Sequence, residues 1–169
     1  MGLKNNTVQL ESNYKIWKKM FEEEKKKLKK IFTQNNFSIE HVGSTSVKNL
    51  SAKPIIDIAI GINDFKNFLK YETILEKIYT IKKNENNNEI LLIKENKIET
   101  FFLIHVLEKD SERYKNIIKF RDILNNNTTI LKEYEKLKKN LSKKYKNDRI
   151  MYTKSKNNFI NNILKSTNN

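Results

Sequence analysis

The chain has 169 residues, a formal net charge of +14, a pI near 9.7 and no cysteine. That length suits one domain with one sizeable core, and the missing cysteines exclude a disulfide scaffold, a thiolate metal site and a cysteine nucleophile. No window holds the roughly 18 apolar residues of a membrane span and the polar start Met1 to Gln9 lacks a signal peptide's apolar stretch, so a cytoplasmic protein without a membrane partner is expected.

Ser12-Asn13 can cap a first helix, over about 13–34, with Trp17, Met20, Phe21, Leu28, Ile31 and Phe32 at helical spacing. Phe37 to Val42 reads as a short strand. Gly43 to Lys53 is small and polar, the composition of a loop or a turn into a short helix. Pro54 opens a second strand at a position where proline is tolerated.

That strand, Ile55 to Ile62, is the most informative segment. Side chains alternate across a strand, so Ile56, Ile58, Ile60 and Ile62 form a core face. Asp57, Ala59 and Gly61 face the other way. An acid followed by two residues with almost no side chain leaves room for something to dock.

Asp64 can then cap a helix with Phe65, Phe68, Leu69, Leu75 and Ile78 inward. Asn84–Asn88 and Lys94–Lys97 read as turns around the strands Glu89–Ile93 and Ile98–Leu107, whose short connection implies antiparallel pairing. The sheet core thus spans about 37–107. Three helices over about 111–165 finish the chain, with stripes Tyr114, Ile117, Ile118, Arg121 and Leu124; Ile130, Tyr134, Leu137, Leu141 and Tyr145; and Tyr152, Lys156, Phe159, Ile160 and Ile163. Arg121 and Lys156 on these stripes, and Lys138 beside one, either meet an anion or snorkel to the surface. Lys25–Lys30 and Lys132–Lys146 carry most of the excess charge, as solvated helix faces or as a basic footprint for nucleic acid.

The run Ile39-Glu40-His41-Val42-Gly43-Ser44-Thr45-Ser46-Val47, closing with Ala52-Lys53-Pro54-Ile55-Ile56-Asp57-Ile58, resembles the signature of the GrpB family (UPF0157), within the nucleotidyltransferase superfamily. Tyr14-Lys15-Ile16-Trp17, Phe21 and Glu24 resemble the family's opening helix. His105, Phe120-Arg121-Asp122, Tyr134, Leu137-Lys138, Tyr152, Lys156 and Phe159 recur in the family's order. The resemblance implies an α+β, nucleotidyltransferase-like fold: a small mixed or antiparallel sheet flanked by helices, with C-terminal helices, in a single domain. It also implies that the Gly43-Ser44 turn, with Thr45 and Ser46, holds a nucleotide's phosphates. Carboxylates on the next strand would then hold Mg²⁺, which shares its oxygen ligands between carboxylates and phosphates.

This chain departs from the superfamily pattern where the acid two residues after Asp57 should stand, which is Ala59. GrpB-family sequences generally share that loss. A substitute ligand would come from a neighbouring strand, and Glu99 and His105 lie roughly 20 Å apart along one face, too far to serve one metal together. Lys48-Asn49 also replaces a Pro-Gly, and Asn suits the left-handed backbone such a turn needs. The candidate set is Asp57, His41 and His105 for acid–base or metal chemistry, and Asp57 with Glu99 for magnesium. For phosphate it is Gly43, Ser44, Thr45, Ser46, Lys53, Arg121, Lys138, Tyr152 and Lys156. Arg121 could instead pair with Asp57 or Asp122. The expected function is transfer of a nucleotidyl or related phosphoryl group to a small acceptor. The alternatives are a non-catalytic nucleotide- or phosphate-binding module and, last, an RNA-binding protein. The family resemblance further hints at a coenzyme A or adenine-nucleotide context.

Overall fold

The computed structural model describes residues 2–33, 37–84 and 88–167. Its centre is a mixed sheet of β1 (Leu3–Lys4), β2 (Ser38–Val42), β3 (Ile56–Ile62), β4 (Thr80–Asn84), β5 (Glu89–Glu95) and β6 (Glu99–Glu108). The order is β2-β3-β6-β5-β4, and β1 joins the start of β6 with Leu3 opposite Thr100. β3 and β6 run parallel and the other pairs antiparallel. A parallel pair needs a long crossover, which here contains α2 (Phe65–Leu69), α3 (Glu72–Leu75), β4 and β5.

The expected alternation of β3 decides how the layers form. Ile56, Ile58, Ile60 and Ile62 are sealed beneath α1 (Tyr14–Ile31), whose Trp17, Phe21 and Leu28 join them in the main core. The small-residue face was expected to leave a docking space. For most of its length that space is filled by α4 (Glu112–Asn126). A Cβ on Gly61 would lie 2.8 Å from Cζ of Tyr114, and Ala59 packs with Val42, Leu107 and Tyr114. Only the Asp57 end lies beyond this apolar plug.

The remaining helices are α5 (Thr128–Lys144), α6 (Arg149–Lys154) and α7 (Asn157–Ser166). Tyr134 of α5 and Phe159 and Ile160 of α7 pack with Leu124 over Val47 and Leu50 of the loop after β2. These helices hold that loop in place. Among the described residues, no helix is long and apolar enough to cross a membrane.

Three expectations change. Asp64 does cap a helix, accepting from the Asn67 N–H at 3.0 Å, but the helix ends at Leu69 and a separate short one follows. Phe68, Leu75 and Tyr79 enter the core while Leu69 and Ile78 stay exposed, because packing rather than helical periodicity sets such short pieces. The expected third C-terminal helix breaks into α6 and α7 at Ser155-Lys156, where the Lys156 N–H reaches back three residues to Thr153 O. β4 lacks any hydrophobic alternation; it is a mostly exposed edge whose Lys82 and Lys83 discourage pairing with another chain.

Candidate functional site

Val42 pairs with Asp57 across β2 and β3, so the chain leaves β2 beside the Asp57 carboxylate. Gly43 has φ +67°, and a Cβ there would fall 2.5 Å from Asp57 Oδ2. Both facts demand glycine. Ser44–Ser46 then forms one turn of 3-10 helix, with the Ser46 hydroxyl donating to Gly43 O at 2.6 Å. Asn49, in the place of the expected Pro-Gly, has φ +64° and supplies the bend anticipated from its side chain.

The C-terminal helices bring cations close to Asp57. The Nζ atoms of Lys53 and Lys156 lie over the Tyr152 ring, 5.1 and 4.7 Å from its centroid. Arg149, at the start of α6, donates to Thr100 Oγ1 at 3.3 Å. The Asp57 carboxylate acts on all three, favouring their charged forms. It does not offset their burial. Desolvation, with Lys156 and Arg149 close by, pushes the Lys53 pKa down to about 7. Desolvation lowers Arg149 and Lys156 as well. The Tyr134 hydroxyl reaches the Ser44 side chain, and burial pushes its pKa up.

Lys138 is near this cluster but has a different task. It is fully buried, donates to Ser51 O, and lies 3.4 Å from Glu135. Glu135 in turn accepts from the Ser51 N–H at 3.1 Å. Both polar groups of one peptide segment are thus held by one helix, which fixes the loop carrying Lys53. Burial brings the Lys138 pKa down to about 7, with Glu135 opposing the shift.

Other sequence candidates lie elsewhere. His41 pairs with Ile58 and so faces the α1 side, away from Asp57. Its ring stacks on Phe21 at 4.7 Å, Nε2 is 3.0 Å from Thr45 Oγ1, and burial, with Arg121 nearby, pushes its pKa down to about 4. Arg121 binds Glu40 at 2.9 Å, Asp122 at 2.8 Å and His41 O at 3.1 Å. Of the two structural pairings considered for it, the one with Asp122 forms.

His105 stands directly opposite Ala59, the position of the missing acid, but its Nδ1 is 2.6 Å from Glu89 Oε1. Arg113 holds the same carboxylate at 3.0 Å. Glu99 pairs with Lys4. It precedes Leu103, the partner of Asp57, by four residues, or roughly 13 Å along the strand. Among the described residues no group of three His, Asp or Glu side chains is placed to hold a metal. Asp57 set among three cations, with no metal-holding group of acids or histidines among the described residues, does not fit the two-acid magnesium site that the resemblance implies.

Arg149 and the Tyr134 hydroxyl also come close to Asp57 and Ser44, and neither was among the sequence candidates. Tyr134 was legible only as part of an apolar stripe. Arg149 sits on no stripe, and it opens α6 directly after the Asp148 cap.

A mixed six-stranded sheet with helices on both faces, and a Gly-Ser turn packed beside Asp57, define an α+β protein. The family model described as GrpB protein matches residues 7–166. The chain belongs to the GrpB family. It is 35% identical over 170 residues to the glutamate-rich protein GrpB of Alkalihalophilus pseudofirmus, covering 97% of this chain and 98% of that one. A UPF0157 protein of Halalkalibacterium halodurans is 31% identical over 154 residues, covering 90% and 78%. The crystal structure of the conserved protein GrpB from Enterococcus faecalis matches with a TM-score of 0.79 and 30% identity, over 89% of this chain and 91% of that one.

Proposed function

We propose that the cationic face beside the Gly43-Ser44 turn and Asp57 binds the phosphate groups of a nucleotide or a related phosphorylated small molecule. One observation carries the reading: Lys53, Arg149 and Lys156 converge there, and Asp57 is the carboxylate common to them. Asp57 is the carboxylate that acts on all three desolvated cations and Glu95 acts on Arg149, so the cluster stays under-compensated and an anion relieves it. The turn beside them gives close backbone approach at Gly43.

A second reading is transfer of a nucleotidyl group to a small acceptor. The placement of Asp57 against the Gly43-Ser44 turn favours it, as does the superfamily resemblance. The plugged position at Ala59 and the engagement of His105 with Glu89 weigh toward binding without transfer.

A thermal-shift screen of ATP, GTP and coenzyme A precursors separates these readings, with and without magnesium, on the wild type and Asp57→Ala. Binding at a fixed site raises Tm by mass action. A shift with some phosphorylated compound supports the site. Pyrophosphate release with an acceptor pool supports transfer. No shift with any phosphorylated compound would contradict both.

A further inference from the structure

We propose that the cluster of Lys53, Arg149 and Lys156 beside Asp57 takes a polyphosphate chain free of divalent metal, with the three side chains supplying the positive charge and Asp57 opposing the ligand. This deepens the reading above and rests on it. The argument concerns charge at one place. A divalent cation bound by Asp57 would here sit beside Lys53 and Lys156, whose Nζ atoms share the Tyr152 ring at 5.1 and 4.7 Å, and near Arg149. Like charges in a poorly solvated site repel strongly.

The substitutes a metal would need are committed elsewhere. His105 is bound to Glu89, Glu99 lies four residues along β6 from the partner of Asp57, and Ala59 is packed under Tyr114. A chain of phosphates has the opposite character. It brings several negative charges at a spacing that separate cations can meet, and its oxygens accept from ammonium and guanidinium donors. The cations come from three segments: the end of the loop, the start of α6, and the junction of α6 and α7. That spread favours an extended anion over a single phosphate.

Calorimetric titration of the full chain with sodium tripolyphosphate and with orthophosphate, each in EDTA and in excess Mg²⁺, tests the proposal. The expected result is tripolyphosphate binding in EDTA, tighter than orthophosphate. Asp57→Asn should tighten it by about threefold to tenfold, because one repelling charge is removed. Lys156→Met should weaken it by about tenfold or more. Binding that requires Mg²⁺ and is weakened by Asp57→Asn would overturn the metal-free assignment while leaving the phosphate site standing. No binding of either anion under any condition would overturn both. Circular dichroism and Tm of each variant establish that it is folded; should Lys156→Met fail to fold, Lys53→Met replaces it with the same expectation.

Discussion

Gly43 and Asp57 are in mutual contact: the position a Cβ would take on Gly43 lies 2.5 Å from Asp57 Oδ2. The bend and the acid are therefore one structural unit, joined by the Val42–Asp57 pairing. Gly43→Ala should cost on the order of 2–3 kcal/mol, from positive-φ strain plus the clash. Urea denaturation measures it. Adding Asp57→Ala should recover the clash part but not the strain, so the double-mutant cycle should show coupling of about 1 kcal/mol or more. Additive losses would mean that the two residues do not constrain each other.

Affinity for a phosphorylated ligand should fall as pH rises from about 7 to 9. Lys53 is the cause: its pKa is pushed down to about 7, facing Lys156 and Arg149 as well as Asp57 and the Tyr152 ring. An anion favours the protonated lysine, so binding at pH 8 should take up a proton. Titration calorimetry in buffers of different ionisation enthalpy reads that uptake directly. Lys53→Arg, permanently charged, should abolish it.

Arg121 separates structure from recognition. It was a phosphate candidate in the sequence, yet its donors are used by Glu40, Asp122 and the His41 carbonyl. Arg121→Gln should lower stability by about 1–3 kcal/mol and leave phosphate affinity within about twofold. A tenfold loss of affinity with unchanged stability would return Arg121 to the ligand site.

Stability itself should rise with pH between about 7 and 10. Lys53 and Lys138 have folded-state pKa values near 7 against ordinary values of 10.5. Across that window the unfolded chain binds more protons than the folded one, so raising the pH favours folding. Lys138→Met should reduce the slope without abolishing it, since Lys53 and Lys156 retain their shares. Denaturation midpoints at pH 7, 8.5 and 10 check it. His41 predicts a similar rise from about pH 4 to 6.5, because it is held neutral in the folded protein.

Much of this arrangement was legible in the sequence because local rules governed it. The isoleucine alternation of β3 identified its buried face. Asn49 announced the left-handed bend, and the small-residue run marked the turn at Gly43. What lay beyond reading was set by contacts distant in sequence. Nothing local in Ala59 and Gly61 says that α4 will cover them with Tyr114. Nothing local in Arg149 says that it will reach Thr100, forty-nine residues away. His41 faces away from Asp57 because of the register of β2 on β3, which the periodicity of either strand alone does not give. The helix break at Lys156 carries no glycine or proline to mark it.

The central claim is that phosphates enter beside Gly43 and Asp57, and amide NMR of the isotopically labelled chain titrated with tripolyphosphate tests it most directly. The predicted result is a saturable set of shifts centred on Gly43, Ser44, Lys53, Asp57, Arg149 and Lys156, absent in Lys156→Met. Shifts confined to the exposed lysines of α1 and α5, with the Gly43–Asp57 region unmoved, would contradict it.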